Sequence, residues 1–247
     1  MSHGIRTWAF VALMLALTAL FVVLGSWQLQ RLGEKQALIA TVAERLDDPP
    51  VPLPPVAAWP GLDGAAVDYL PMAATGHYLD ASTVLVFTSL GSSRGAYSGP
   101  GYWVLTPFAL ESGGTLFVNR GFIPQEAAED RAALEPEPSD TPLTIAGIGR
   151  RAEPAGAFTP VADTANGIEW VRDPARLATL AGVEGPVAPF YLDLPASPAG
   201  ELPQGGETVV EFPNNHLGYA YTWFGFALIT PILLFFWVRR QRRPPTP

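Results

Sequence analysis

The sequence predicts a membrane protein in which two transmembrane helices flank a β-rich (α+β) extracytoplasmic domain. Three observations predict it. Uncharged apolar runs extend from Thr7 to Trp27 and from Leu217 to Val238. Between them lie short segments rich in β-branched and aromatic residues, broken by turn residues. The acidic residues are confined to that middle region, whereas the two ends carry only arginine.

The first element is the run TWAFVALMLALTALFVVLGSW, residues 7–27, after a short tail of residues 1–6. A helix rises 1.5 Å per residue, so about 20 residues cross a hydrocarbon layer of roughly 30 Å. The small residues around VLGS also permit a cleaved signal peptide. The length of the run and its amphipathic continuation, LGSWQLQRLGEKQALIATVAERLD, favour an uncleaved span with a helical exit to about Leu46. The prolines of DDPPVPLPPVAAWPG then deny a helix its donors, and the expectation is a stiff linker. The exit and linker together occupy 28–68.

Residues 69–212 form the expected β-rich domain, placed in the periplasm. YLPMAATGHYL, STVLVFTSL, GYWVLTPFAL, GTLFVNRGF and PLTIAGIGR read as strands of a mostly antiparallel core, and PFYLDL and ETVVEF as further strands. ESGG is a hairpin connection. In DPARLATLAG, Asp173 can cap a helix, Pro174 suits its first turn and Gly182 can stop it.

The second span lies within 213–238, and transmembrane helices tolerate its Pro231. Arg239, Arg240, Arg242 and Arg243 follow at once, in the tail 239–247. Arginines beside a span favour the cytoplasm. Both tails are therefore expected in the cytoplasm and the long middle outside, with the chain multi-pass and in contact with membrane lipid.

Composition removes several function classes. The acidic middle has no broad basic face for nucleic acid. The absence of cysteine excludes a disulfide scaffold, c-type haem attachment, a thiolate copper site and a redox dithiol. Neither a nucleophile elbow, a Ser–His–Asp ordering, a GxGxxG nor a Walker sequence is present, so no enzyme is expected.

The candidate site is at NNHLGYAYTWFGFALI, which sets His216, one of three histidines, at the entrance of the second span. An imidazole can ligate haem iron axially while its other nitrogen makes an orienting hydrogen bond. Ionisable groups at a lipid boundary are reasonable functional candidates. An interfacial histidine in an aromatic belt accounts for the same residue without a cofactor. Tyr219, Ala220 and Trp223 follow at helical spacing. Trp27 and Gln28, at the outer end of the first span, are expected at nearly the depth of His216. Aromatic anchoring explains Trp27, and a shared two-helix pocket is the sharper alternative. In FVNRGFIP, a turn at Asn119, Arg120 and Gly121 could aim Arg120 at a carboxylate of a partner or cofactor, or tie a loop to a nearby Asp. His77 reads as a strand-surface residue opposite Tyr78.

LGSWQLQRLGEK (24–35), GYWVLTPF (101–108), LFVNRGFIP (116–124), PFYLDL (189–194) and PNNHLGYAYTWFGFA (213–227) occur in the order found in the surfeit locus protein family, which the chain resembles. The resemblance, to a bacterial member, implies two spans in the cell inner membrane around a periplasmic domain and a role as an assembly factor for cytochrome c oxidase. It implies haem a, bound and handed on to oxidase subunit I, with a haem a synthase as a further partner. His216 matches the histidine associated with haem a. Trp27, Trp223 and Gly25 belong to the matching segments. The expected cofactor set is His216 as iron ligand, Trp27, Trp223 and Tyr219 as aromatic neighbours, and Arg120 towards the propionates. The alternative is a membrane scaffold that stabilises apo-subunit I without binding haem.

Overall fold

A computed structural model describes residues 3–46, 48–80, 83–137, 141–208 and 214–241. The chain divides into two compact units, residues 1–41 with 211–247, and residues 42–210.

The first unit is a pair of helices, α1 (His3–Leu46, to residue 41 in this unit) and α5 (His216–Gln241). Both are long and apolar enough to cross a membrane. Residues of α1 that are at least partly covered recur as Thr7, Phe10, Met14, Leu17, Phe21, Leu24 and Gln28, flanked every seven residues by Val11, Thr18 and Gly25. That spacing alternates threes and fours and makes one narrow stripe along the helix. Phe10 meets Trp237, Phe21 meets Trp223 and Phe226, and Gln28 meets His216. Rising numbers on one helix meet falling numbers on the other, so the pair is antiparallel. On α5 the seam is lined by small residues, with Ala220, Ala227 and Thr230 all buried. Small side chains allow close backbone approach between apolar helices, where packing rather than water exclusion holds the pair.

Between them in sequence come β1 (Val51–Pro52), α2 (Gly64–Val67), β2 (Pro71–Tyr78), β3 (Val84–Leu90), β4 (Gly99–Leu110), β5 (Thr115–Pro124), α3 (Arg131–Leu134), β6 (Leu143–Arg151), β7 (Ile168–Glu169), α4 (Pro174–Ala181) and β8 (Val187–Asp193). The strands pair in the order β1-β2-β6-β8-β5-β4-β3-β7, and β2 also pairs with β4. That last pairing closes β2, β6, β8, β5 and β4 into a barrel. Closure needs a glycine: a Cβ on Gly76 of β2 would lie 2.0 Å from the Ala109 carbonyl oxygen of β4.

Inside the barrel, alternate residues meet: Met72 and Ala74 of β2, Phe108 and Leu110 of β4, Leu116 and Val118 of β5, Phe190 and Leu192 of β8. The opposite face of the same strands is also covered. There Phe117, Tyr191 and Leu105, with Val86 of β3, pack under Leu177 and Ala178 of α4, while on the other face of β3 and β4 Leu134 of α3 covers Leu85, Val104 and Ile123. Burial on both faces explains why β4 and β5 read as nearly continuous apolar runs instead of alternating ones. Helix α4 has the expected ends: the Asp173 side chain accepts from Ala175 N–H, Pro174 opens the helix and Gly182 is left-handed at φ 66°.

The core is mostly antiparallel, as expected, but β1–β2, β3–β7 and β5–β8 are parallel. The proline-rich stretch does more than link. Val51–Pro52 pairs with β2, and Trp59 is buried in the barrel core edge-on to Phe190, its indole N–H donating to the Pro54 carbonyl. The prolines end the helix, yet the tryptophan's apolar area commits the segment to the core. In the stretch expected as ETVVEF, Glu207 and Thr208 are not in a strand, and residues 209–212 lie outside the described ones.

A polar cluster is built at the ends of β6 and β8. Asp193 accepts from Asn119 Nδ2 and Thr208 Oγ1, both at 2.8 Å, and lies 3.7 Å from Arg150. Arg150 also pairs with Asp68 at 3.1 Å. Arg172 pairs with Glu153 and lies over the rings of Trp103 and Tyr191. The Tyr191 hydroxyl is buried with no hydrogen-bond partner among the described residues.

Candidate functional site: an imidazole in the helix seam

His216 opens α5, and its Nδ1 lies 2.7 Å from Oε1 of Gln28 on α1. A carboxamide oxygen only accepts hydrogen bonds, so in this orientation Nδ1 is the donor, and in the neutral imidazole the lone pair then falls on Nε2. No hydrogen bond to Nε2 occurs among the described residues. Gln28 is 8% exposed, and His216 is partly covered.

Two local features bring these side chains together. Gly25 lies one turn before Gln28 on the same face, directly against the Phe224 ring. Ala220, one turn after His216, is 1% exposed and adds no bulk to the seam. Close approach at both positions lets two side chains of moderate length meet.

The expected aromatic residues separate into two sets. Trp223 is half-buried and stacked on Phe21, with ring centroids 5.8 Å apart and planes 23° from parallel. Trp27 and Tyr219 instead leave the seam, at 50% and 57% exposed. Each is a large amphipathic ring with a free face.

Arg120 belongs to the β-barrel unit. Its guanidinium donates to the Leu134 carbonyl and sits 5.7 Å from the centroid of the Tyr78 ring. Burial lowers its pKa, while Tyr78 and Glu135 oppose that shift. The expected turn at Asn119–Arg120–Gly121 is instead strand, inside β5. Asn119 Oδ1 accepts from Gly121 N–H, and glycine takes up the local kink at φ 135°, so the strand bends without ending. His77 is exposed on β2, and its neighbour Tyr78 turns to the opposite face against Phe108.

Among the described residues no cluster of three or more His, Cys, Asp or Glu side chains could hold a bare metal ion. A porphyrin carries its own four nitrogen donors and asks the protein only for axial ligands. One imidazole with an oriented ring and a free nitrogen fits that demand, and so do apolar rings beside it. Gln28 is the residue whose part the sequence did not reveal. The signal was there: a carboxamide in an apolar helix, at the depth of the histidine.

These features define a protein with two membrane-length helices, a closed β-barrel and an imidazole set into the helix seam. The chain belongs to the SURF1 family, which matches it over residues 15–228. It is 32% identical over 231 residues to a SURF1-like protein of Monosiga brevicollis, covering 89% of this chain and 83% of that one. Against Surfeit locus protein 1 of Gallus gallus it is 29% identical, with 88% and 70% covered. For Surfeit locus protein 1 of Homo sapiens the identity is 30%, with 86% and 72% covered.

Proposed function

We propose that this chain is a membrane assembly factor for cytochrome c oxidase, which binds haem a at His216 and assists its insertion into oxidase subunit I. Family membership supports the assembly role. The observation that carries the cofactor is the 2.7 Å contact between His216 Nδ1 and Gln28 Oε1, which leaves Nε2 available. Haem a, when bound, supplies an iron that takes an axial imidazole and an apolar macrocycle suited to the membrane edge.

The protein's own residues have separable tasks in this reading. His216 offers Nε2. Gln28 and Gly25 set the ring and the helix spacing. Trp27 and Tyr219 offer exposed rings against which an apolar ligand can rest, and Trp223 stiffens the seam through Phe21. Arg120, held by the Leu134 carbonyl, supports α3 and the edge of the barrel. The arginines at the end of α5 and just beyond it favour cytoplasmic tails, with the barrel on the opposite side.

Deleting the gene tests the role. Subunit I should still be synthesised while its haem a content and the oxidase activity fall. Full haem occupancy of every haem–copper oxidase in the deletion strain would contradict it. Loss of subunit I with normal haem occupancy in what remains would favour a scaffold that binds no haem.

A further inference from the structure

We propose that Gln28 is a positioning residue for His216: its carboxamide oxygen holds the imidazole as the Nδ1–H tautomer and turns the Nε2 lone pair out of the seam. This rests on the reading of His216 as the haem ligand and assigns a role to a second residue of that site.

Three features carry it. The contact at 2.7 Å is short for an N–H···O bond, and it joins residues 188 positions apart on two different helices. Gln28 is buried at 8% exposure, so water competes poorly for Nδ1 and the bond is strengthened by its apolar surroundings. No charged partner replaces it: Arg31, one turn beyond Gln28, pairs with Glu34 at 2.7 Å, and no ion pair to His216 occurs among the described residues.

A neutral imidazole has one nitrogen that donates and one that accepts. Free to choose, the ring can put its proton on Nε2 and lose the lone pair that a metal needs there. An acceptor fixed at Nδ1 removes that choice before any metal arrives. It also makes Nε2 a stronger donor of its electron pair, as orienting partners of ligating histidines do. A mere helix-to-helix tie would need no particular tautomer. The two roles therefore differ in a property that can be read without haem.

The test uses the full-length protein in lipid nanodiscs, with 15N-labelled histidine and the His216 signals assigned by difference from His216→Ala. At alkaline pH the apo-protein should show His216 with Nδ1 protonated and Nε2 bare. Gln28→Met, which keeps the length and removes the acceptor, should give a mixture of tautomers. It should also weaken haem a binding about 10- to 100-fold, the usual effect of losing such a partner. Gln28→Glu, a stronger acceptor of the same size, should restore the tautomer and the affinity and lower the reduction potential of the bound haem.

A wild-type ring protonated on Nε2 would overturn the proposal. So would wild-type haem affinity and spectrum in Gln28→Met. If His216→Ala binds haem a as wild type does, the ligand reading fails. The nitrogen spectra would then still show whether Gln28 sets the tautomer, so the two failures are distinguishable.

Discussion

Gly25 of α1 faces Phe224 of α5 so closely that a β-carbon would sit 2.8 Å from two atoms of the ring. Real β-carbons do not approach so near, and an aromatic ring wedged in a helix seam has few rotamers to retreat into. Gly25→Leu should therefore part the helices around Gln28 and His216. The chain has no cysteine, so a Gln28→Cys/His216→Cys pair can be joined without background by a short bis-thiosulfonate reagent, each thiolate forming a disulfide as a sulfinate leaves. Adding Gly25→Leu should lower the cross-linking yield several-fold. An unchanged yield would mean that the seam does not depend on the missing side chain.

Tyr191 makes a prediction of the opposite sign. Its hydroxyl is buried without a hydrogen-bond partner among the described residues, and burial holds its pKa well above the usual tyrosine range. Removing a bonded hydroxyl costs about 1 kcal/mol, whereas removing an unsatisfied one costs little or stabilises. Tyr191→Phe should leave the thermal midpoint of the detergent-solubilised protein unchanged or raised. A clear drop would show that the hydroxyl has a partner.

Glu153 gives a pH dependence. Burial alone would raise its pKa, but the hydrogen bonds and charge of Arg172 outweigh this and hold it below the usual carboxylate range. A depressed folded-state value means that the contribution is present above the unfolded pKa, about 4.3, and is lost as pH falls through the folded one. Thermal midpoints measured from pH 7 down to pH 3 should therefore fall less steeply in Glu153→Gln than in wild type, from a lower starting value at pH 7. Parallel curves would exclude the pair from acid stability.

Topology can be read directly. A reporter fused after Pro247 should be cytoplasmic, and one inserted at the exposed Ala155–Gly156 loop should lie across the membrane from it. Cytoplasmic labelling of the loop reporter would reverse the orientation and remove the barrel from the side proposed for it.

The parts legible in the sequence are those set by local rules. Apolar length marked the two helices, Asp173 and Gly182 marked the ends of α4, and alternation placed His77 outside and Tyr78 inside. The closure of the barrel was not legible. Alternation fixes which face of a strand is buried but says nothing about its partner, so the parallel β5–β8 pair and the β2–β4 closure are invisible in it. Two-residue strands such as β1 and β7 are too short to carry a pattern. The depth of Gln28 followed from counting residues out of the first span. Its contact with His216 did not, because rotation about each helix axis is fixed by close approaches such as Gly25 on Phe224.

Ligation by His216 is the central claim, and loss of one nitrogen tests it. His216→Ala should be produced with a haem a synthase, purified beside wild type, and compared for haem a stoichiometry and absorption spectrum. The substitution lies at a helix end with partial exposure, so the fold should survive while the spectrum is lost. The expected result is a folded protein with little bound haem a, or with haem whose bands are shifted by a changed axial ligand. Wild-type stoichiometry together with the wild-type spectrum would contradict it.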